Sequence, residues 1–125
     1  GNMRLPQKIL KKGIRDMIRI SDARMSGTAY GTVILHTAPE AAVKGPLAAV
    51  QNGDLIEVDV DNGKLNLNVS DEEISKRLES YEPVLPDIKG GYQKMYVDHV
   101  MQADKGADLD FLVGKRGSEV KRHSH

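Results

Sequence analysis

The chain has 125 residues, no cysteine, and 18 basic residues against 18 acidic ones. This length is typical of one domain, and the absence of cysteine excludes disulfides, a thiol nucleophile and an iron–sulfur cluster held by thiolates of this chain. Because the charges balance, no long-range field favours nucleic acid or an anionic membrane, and no apolar run approaches the roughly 20 residues that span a bilayer. We therefore expect one soluble cytoplasmic domain that binds neither nucleic acid nor membrane.

The first predicted elements are a short helix over Leu5–Gly13 and two strands. A proline in the first turn and a glycine at the end are typical helix boundary signals. The apolar and β-branched runs Met17–Ile20 and Thr32–Leu35 predict strands, and the small and turn-forming residues 21–31 between them predict a functional loop. The abrupt start indicates a chain cut from something longer. With a single phenylalanine, we expect an aliphatic core whose stability depends in part on a neighbouring domain or subunit.

The middle of the chain predicts two short helices and a β-hairpin. The helical segment Pro39–Val50 is broken at Gly45-Pro46, because proline disfavours helical geometry in the residue before it. Asn62-Gly63 is a preferred two-residue hairpin turn, and Leu55–Val60 and Lys64–Val69 alternate in hydropathy on either side of it. The turn predicts one core face and one wet face. It also predicts the apolar pairs Val60 with Leu65, Val58 with Leu67, and Ile56 with Val69.

The last third of the chain predicts two helices joined by an irregular connection. The Ser-x-x-Glu sequence at residues 70–73 is a capping box, so a helix should begin there and extend to about Ser80. Prolines and glycines in residues 81–91 predict an apolar connection that packs over the body of the domain. Helical spacing over residues 92–103, before Gly106, predicts a further helix. Short strands with helices around them place the chain in the α/β or α+β class.

Chemistry-bearing residues are concentrated in the loop after the first strand. Hydroxyls, glycines and one arginine converge in residues 21–31. Gly27 permits a tight turn that directs backbone N–H groups toward Ser26 or a ligand, which makes Ser26 a candidate nucleophile or base. Arg24 is a candidate for binding a carboxylate through two hydrogen bonds. From spacing alone, a polar turn without catalytic role is the favoured alternative for Ser26, and an ordinary surface residue is the alternative for Arg24.

The histidines and acidic clusters give weaker indications. His36 follows the second strand and approaches the Ser26 loop if the two strands are neighbours, although a structural histidine is the favoured interpretation. His99 is expected on a helix face. His123 and His125 lie in a polar tail with adventitious metal affinity at most. Five acidic residues are close in sequence, but we expect no metal site from them. Two lie at the end of the hairpin, and three lie at the start of a helix, where carboxylates interact favourably with the helix dipole. They are Asp59 and Asp61, and Asp71, Glu72 and Glu73.

Several ordered motifs along the chain carry a family resemblance. They are Asp22–Gly31, His36, Pro39–Ala42, Gly45-Pro46, Gly53–Ile56, Gly91–Val100, Gln102–Asp104 and Ala107–Leu112. Together they resemble the carboxy-terminal part of the dihydroxy-acid dehydratase and phosphogluconate dehydratase family. The resemblance extends over nearly the whole chain, and several motifs in one order are far more specific than any one of them.

The resemblance implies an α/β fold of mixed type: a swivelling β/β/α domain with a barrel-like mixed sheet, like the mobile domain of aconitase-type hydro-lyases. It implies an iron–sulfur cluster and Mg²⁺ held by a larger amino-terminal domain, with no cofactor bound by this chain alone. The family removes water beside a carboxylate and produces a 2-keto acid. Ser26 matches its proposed general base, acting as an alkoxide. Thr28, Arg24, Gly27 and His36 are the expected substrate-binding residues.

One departure from the family pattern bears on the substrate. Branched-chain biosynthetic members typically have Gly-Arg-Phe-Ser-Gly-Gly-Ser-His where this chain has Ala23–Tyr30, which favours the sugar-acid branch and an aldonate substrate. We expect a catalytic part of a hydro-lyase that is inactive without its amino-terminal domain and that forms a homo-oligomer at least as often as a monomer. The alternatives are a stand-alone binding or assembly module and the small subunit of a split hydro-lyase.

Overall fold

The computed structural model describes residues 3–25 and 31–114. The chain divides into two compact units, with the boundary between Leu85 and Pro86. The expectation of a single swivelling domain stays a prediction. The candidate residues that lie outside the described part are Ser26, Gly27, Thr28, His123 and His125.

The first unit begins with a helix and a pair of parallel strands. Helix α1 spans Gln7–Leu10, and it is shorter than predicted because the chain turns toward Gly13, whose φ of 76° is left-handed. Strands β1 (Arg19–Ile20) and β2 (Val33–Ile34) confirm the two predicted strands. They pair in parallel, with Arg19 opposite Val33 and Ile20 opposite Ile34.

Two short 3₁₀ helices follow, as the proline pattern predicts. They span Ala41–Val43 and Pro46–Ala49 and are separated at Gly45. Gly45 has an extended backbone with ψ of 159°, which agrees with the exclusion of helical geometry before a proline. Within the described ranges, Ala49 is the one hydrophobic residue that is buried, at 3% exposure, so the second 3₁₀ helix marks the centre of a small core.

The hairpin is confirmed, but its predicted register is wrong by two residues. Strands β3 (Ile56–Asp59) and β4 (Lys64–Leu67) are antiparallel. Val58 lies opposite Leu65 and not Leu67. A shift of two residues keeps the strand residues on their predicted faces. Val58 and Leu67 on the apolar face are half-buried, but Val60 lies in the loop and is 83% exposed, so its predicted place in the core is wrong.

The hydrogen bonds of the hairpin loop explain the shift. Asp59 accepts hydrogen bonds from the backbone N–H and the side-chain amide of Asn62, at 3.1 and 2.7 Å. Gly63 N–H also bonds to the carbonyl of Val60 at 3.2 Å. Among residues 60–63, all of them described, Gly63 alone has a positive φ, 64°, whereas the predicted type I′ turn requires it at both central residues. A four-residue loop therefore replaces the two-residue turn.

Helix α2 spans Asp71–Glu79 and ends at Ser80, as the capping box predicts. The Ser70 hydroxyl accepts a hydrogen bond from the Glu73 N–H at 3.3 Å, which satisfies one of the free amides of the first helical turn. The Glu73 carboxylate does not complete the reciprocal bond and instead accepts one from Arg77 at 2.9 Å.

The mixed α/β architecture is confirmed, but the described residues form no closed barrel. Their strands make two separate two-stranded sheets, β1–β2 and β3–β4. A barrel requires every strand to be paired on both edges, and here each strand is paired on one. The apolar faces of both sheets and the second 3₁₀ helix border a concavity of about 370 Å³, lined among others by Ile20, Ile34, Leu47, Leu65 and Leu67.

An ion-pair network attaches α2 to the second 3₁₀ helix. Arg77 donates to the Asp54 carboxylate at 2.6 Å and to the Ala49 carbonyl at 3.1 Å. The Gln51 N–H also donates to Asp54, at 2.7 Å. The hydrogen bond from Arg77, reinforced by that of Gln51, lowers the pKa of the Asp54 carboxyl below its ordinary value of 3.8. The ionised form of Asp54 therefore stabilises this part of the fold.

This network predicts a pH-dependent contribution to stability. Because its pKa is lower in the folded state, Asp54 stabilises the fold above its unfolded-state pKa, and this contribution is lost as the pH falls through the folded-state value. The chain should therefore unfold at a higher temperature than its Asp54→Asn variant near neutral pH, and the difference should shrink in acid. Thermal unfolding followed by circular dichroism at several pH values measures it. The control is Asp87→Asn, whose side chain is 87% exposed; a difference for Asp54→Asn that is independent of pH would contradict the prediction.

The second unit is built around one helix. Helix α3 spans Gly91–His99 and a 3₁₀ helix spans Ala103–Lys105. The predicted helix over residues 92–103 is too long, because Val100 leaves helical geometry and forms an antiparallel bridge with Leu109. His99 lies on α3 as expected. Its Nδ1 is 3.1 Å from the Asp110 carboxylate.

The connection before α3 is irregular, as predicted, but two of its apolar residues are exposed. Val84 and Leu85 are 97% and 58% exposed, so the expectation that the connection packs over the body is wrong at these residues. Among the described residues, no helix has the length and apolar character needed to cross a membrane.

Candidate functional site

The parallel pairing of β1 and β2 brings two stretches of chain together at one edge of the sheet. Parallel strands end at the same edge, so the residues after β1 and those after β2 become neighbours. The Ser21 N–H bonds to the Ile34 carbonyl at 2.9 Å, and the Thr37 N–H bonds back to the Ser21 carbonyl at 3.2 Å. We call residues 21–25 and 36–41 the loop stem. The condition for His36 to approach the loop, that the strands are neighbours, is confirmed.

Three side-chain contacts join the two halves of the loop stem. Asp22 accepts a hydrogen bond from the Ala41 N–H at 2.7 Å. Arg24 Nε donates to Glu40 Oε1 at 2.6 Å. His36 Nε2 lies 3.0 Å from the carbonyl oxygen of Met25. The chain segment before residue 26 is therefore held at Asp22, at Arg24 and at the carbonyl of Met25.

The ion pair of Arg24 and Glu40 is short and largely shielded from water. The two side chains are 17% and 21% exposed. A charge-assisted hydrogen bond in such surroundings is about twice as strong as a neutral one, and solvent screens it less than an exposed pair. The carboxylate that Arg24 binds in this structure is that of Glu40, and a contact of Arg24 with substrate stays a prediction.

His36 combines an unusual backbone with an exposed side chain. Its φ is 57°, in the left-handed region that is uncommon outside glycine and that is enriched at functional sites. Because a carbonyl oxygen can only accept, the contact with Met25 requires hydrogen on Nε2. In the neutral ring, Nδ1 is then an acceptor. His36 supports the loop stem, and a contact with substrate stays a prediction.

The far side of the loop is anchored as well. The Thr32 N–H donates to the Asp16 carboxylate at 3.2 Å, and Asp16 also lies 3.8 Å from the guanidinium of Arg19. Gly31 has φ of 81° and packs so closely that a Cβ there would lie 2.0 Å from the Asp16 carboxylate oxygen. Residues 26–30 therefore connect two anchored ends.

Glu40, which binds Arg24, and Gly45, which shapes the turn that carries Glu40, were not among the candidate residues predicted from the sequence. Glu40 was noted only as part of a family motif, and Gly45 only as part of such a motif and as a helix break. A Cβ at Gly45 would lie 1.8 Å from the Pro39 carbonyl oxygen, so glycine allows the segment that carries Glu40 to close on itself. The one available signal was Arg24 itself, which needs an acidic partner when shielded from water.

The described residues do not supply a site for the cofactors that the resemblance implies. The chain has no cysteine, and residues 3–25 and 31–114 contain no group of three or more histidine, aspartate or glutamate side chains placed to hold a metal ion. Asp59, in the acidic group at the hairpin end, is engaged by Asn62, whose hydrogen bonds lower the pKa of Asp59. These residues therefore do not fit an iron–sulfur cluster or Mg²⁺.

Comparison with known proteins decides the family. Residues 2–107 match the family described as dihydroxy-acid/6-phosphogluconate dehydratase C-terminal. The chain belongs to this family. The resemblance noted from the motifs is thereby confirmed over most of the chain, including the loop stem and the loop between its halves.

The relatives within this family include sugar-acid and dihydroxy-acid dehydratases. L-arabonate dehydratase of Azospirillum brasilense is 60% identical over the whole chain and 22% of its own length. The 6-deoxy-6-sulfo-D-gluconate dehydratase of Pseudomonas putida is 49% identical over 90% of the chain and 19% of its length. Dihydroxy-acid dehydratase of Caldicellulosiruptor saccharolyticus is 46% identical over 78% of the chain and 18% of its length. The chain thus spans about a fifth of the length of these curated relatives.

Proposed function

We propose that this chain is the carboxy-terminal catalytic part of a hydro-lyase that dehydrates an aldonate to a 2-keto-3-deoxy acid, with Ser26 as the general base. The observation that carries the proposal is that the chain is held on both sides of residues 26–30, by the loop stem before them and by the Thr32–Asp16 contact after them, in a chain similar to L-arabonate dehydratase. The greater identity to sugar-acid dehydratases than to dihydroxy-acid dehydratases supports the aldonate.

The chemistry explains why a serine needs such a support. A carbon-bound proton beside a carboxylate is very weakly acidic, so its removal requires a strong base, and an alkoxide meets that need. Backbone N–H groups after Ser26, which Gly27 leaves accessible, would stabilise the alkoxide. Because His36 holds the carbonyl of Met25, the backbone immediately before Ser26 is positioned before the substrate binds, which lowers the entropic cost of reaction.

An aldonate presents one carboxylate and a row of hydroxyl groups, and the expected substrate residues can recognise both. The Thr28 hydroxyl and the Gly27 N–H are suited to substrate oxygens. His36 is exposed, and its Nδ1 can accept a hydrogen bond from a substrate hydroxyl. Arg24 is expected to contact the substrate carboxylate, and in this structure its Nε donates to Glu40.

The rest of the enzyme must supply what this chain does not. We assign the iron–sulfur cluster and Mg²⁺ to an amino-terminal part of the same protein. Exposed apolar side chains support packing against that part or against a second copy, since large exposed apolar surfaces mark interaction sites. Among them are Leu55, Val60 and Tyr92, at 71%, 83% and 85% exposure.

A direct assay tests the proposal. The full-length protein that contains this chain, reconstituted without oxygen with iron, sulfide and Mg²⁺, is expected to convert arabonate, xylonate or gluconate to its 2-keto-3-deoxy acid. The 125-residue chain alone is expected to convert none of them. Turnover by the pure chain would contradict the proposal that dehydration requires the amino-terminal part of the protein. Preference for a branched 2,3-dihydroxy acid would overturn the substrate class, and aldonate binding without dehydration would favour the binding-module alternative.

A further inference from the structure

We infer that Glu40 is a positioning residue for this reaction, acting through Arg24 to fix the point from which the chain enters residues 26–30. The inference rests on the proposed function, because it assigns Glu40 to the support of the proposed base. Glu40 is 14 positions after Ser26 in the sequence and follows β2, so its influence on the loop depends on the packing of the two halves of the stem.

The backbone that carries Glu40 is held independently of the loop. The Glu40 carbonyl accepts hydrogen bonds from the N–H groups of Val43 and Gly45, at 3.0 and 2.9 Å. Gly45 also packs against the Pro39 carbonyl with no space for a Cβ. The carboxylate of Glu40 therefore projects from a closed turn that does not need residues 26–30 for its shape.

The next residue makes a second contact with the same part of the loop stem. The Ala41 N–H donates to Asp22 at 2.7 Å, while Glu40 accepts from Arg24 at 2.6 Å. Two consecutive residues of the turn thus hold two alternate residues of the loop. Such a two-point attachment restricts rotation as well as translation, which a single surface ion pair does not do.

The expected effect is on the rate of the chemical step. A displacement of reacting groups by about 1 Å can lower a rate by about 100-fold. Glu40→Gln keeps the shape of the side chain but removes the charge that binds Arg24. In the full-length protein it should lower kcat by about 10- to 100-fold, with a much smaller change in KM, because the substrate can still bind while the base is misplaced.

The chain contains a closely matched control. Arg77 and Asp54 also form a 2.6 Å ion pair with side chains 15% and 12% exposed, but they join α2 to the turn after the second 3₁₀ helix. Asp54→Asn should lower the thermal stability of the full-length protein as Glu40→Gln does, yet leave kcat unchanged. Glu40→Asp, which retains the charge on a shorter side chain, should restore part of kcat and serves as the test if Glu40→Gln does not fold.

Hydrogen exchange gives a readout that does not need turnover. In the full-length protein, Glu40→Gln should accelerate amide exchange at residues 22–25, and Asp54→Asn should not. The inference is overturned if exchange there is unchanged, or if folded Glu40→Gln keeps the wild-type kcat, or if Asp54→Asn loses kcat equally. If the wild-type protein dehydrates no aldonate, the proposed function fails, and the exchange result still decides whether Glu40 positions the loop.

Discussion

Replacing Ser26 with alanine in the full-length protein is expected to lower kcat toward aldonates by about 10²- to 10⁴-fold, the usual contribution of a general base. The substitution removes the one atom that would accept the proton and leaves the neighbouring backbone in place. Substrate binding should persist, because Thr28, His36 and the backbone N–H groups remain. Steady-state kinetics measures the loss, and calorimetric titration with the aldonate measures the binding.

The control for this substitution is Ser75→Ala, on the exposed surface of α2, which should leave kcat and binding unchanged. Metal and sulfide content must match between the variants, so that a lost cluster is not mistaken for a lost base. Undiminished turnover by Ser26→Ala would remove Ser26 from the chemistry and leave this chain a positioning role.

Replacing Gly45 with alanine should destabilise the chain by about 1–3 kcal/mol, the usual cost of overpacking. The backbone of Gly45, with φ of −66° and ψ of 159°, is accessible to alanine, so the cost is steric alone. The new Cβ would lie 1.8 Å from the Pro39 oxygen and 2.9 Å from the Glu40 oxygen. Both obstacles are backbone atoms, so relief requires the turn that carries Glu40 to move.

Urea unfolding of the chain measures this effect. The control is Gly90→Ala, because Gly90 has an extended backbone with φ of 178° and no atom within 4 Å of its Cβ position. Gly45→Ala should shift the unfolding midpoint to lower urea, and Gly90→Ala should not. In the full-length protein, Gly45→Ala should also lower kcat by moving Glu40. Equal midpoints would contradict the prediction, because they would show that the turn accommodates the new Cβ without loss of stability.

The secondary structure was largely predictable because its signals are local. The capping box at Ser70 and the break at Gly45-Pro46 depend on residues that are near one another in sequence. Their predictions are confirmed in α2 and in the two 3₁₀ helices. The predicted hairpin register is wrong for a local reason too, because Asn62 donates two hydrogen bonds to Asp59 and the turn becomes longer. The turn propensities of the residues alone do not determine which of two favourable turns forms, because side-chain hydrogen bonds also contribute.

By itself the sequence determined the family, the loop with Ser26 and the order of the short elements. Only the tertiary structure decided which residues support that loop. Arg24 and Glu40 are 16 positions apart, and they meet because β1 and β2 pair in parallel and end at one edge. Gly45 matters because the Pro39 carbonyl occupies the space of its missing side chain. These contacts follow from packing between segments distant along the chain, and no local pattern of residue types encodes them.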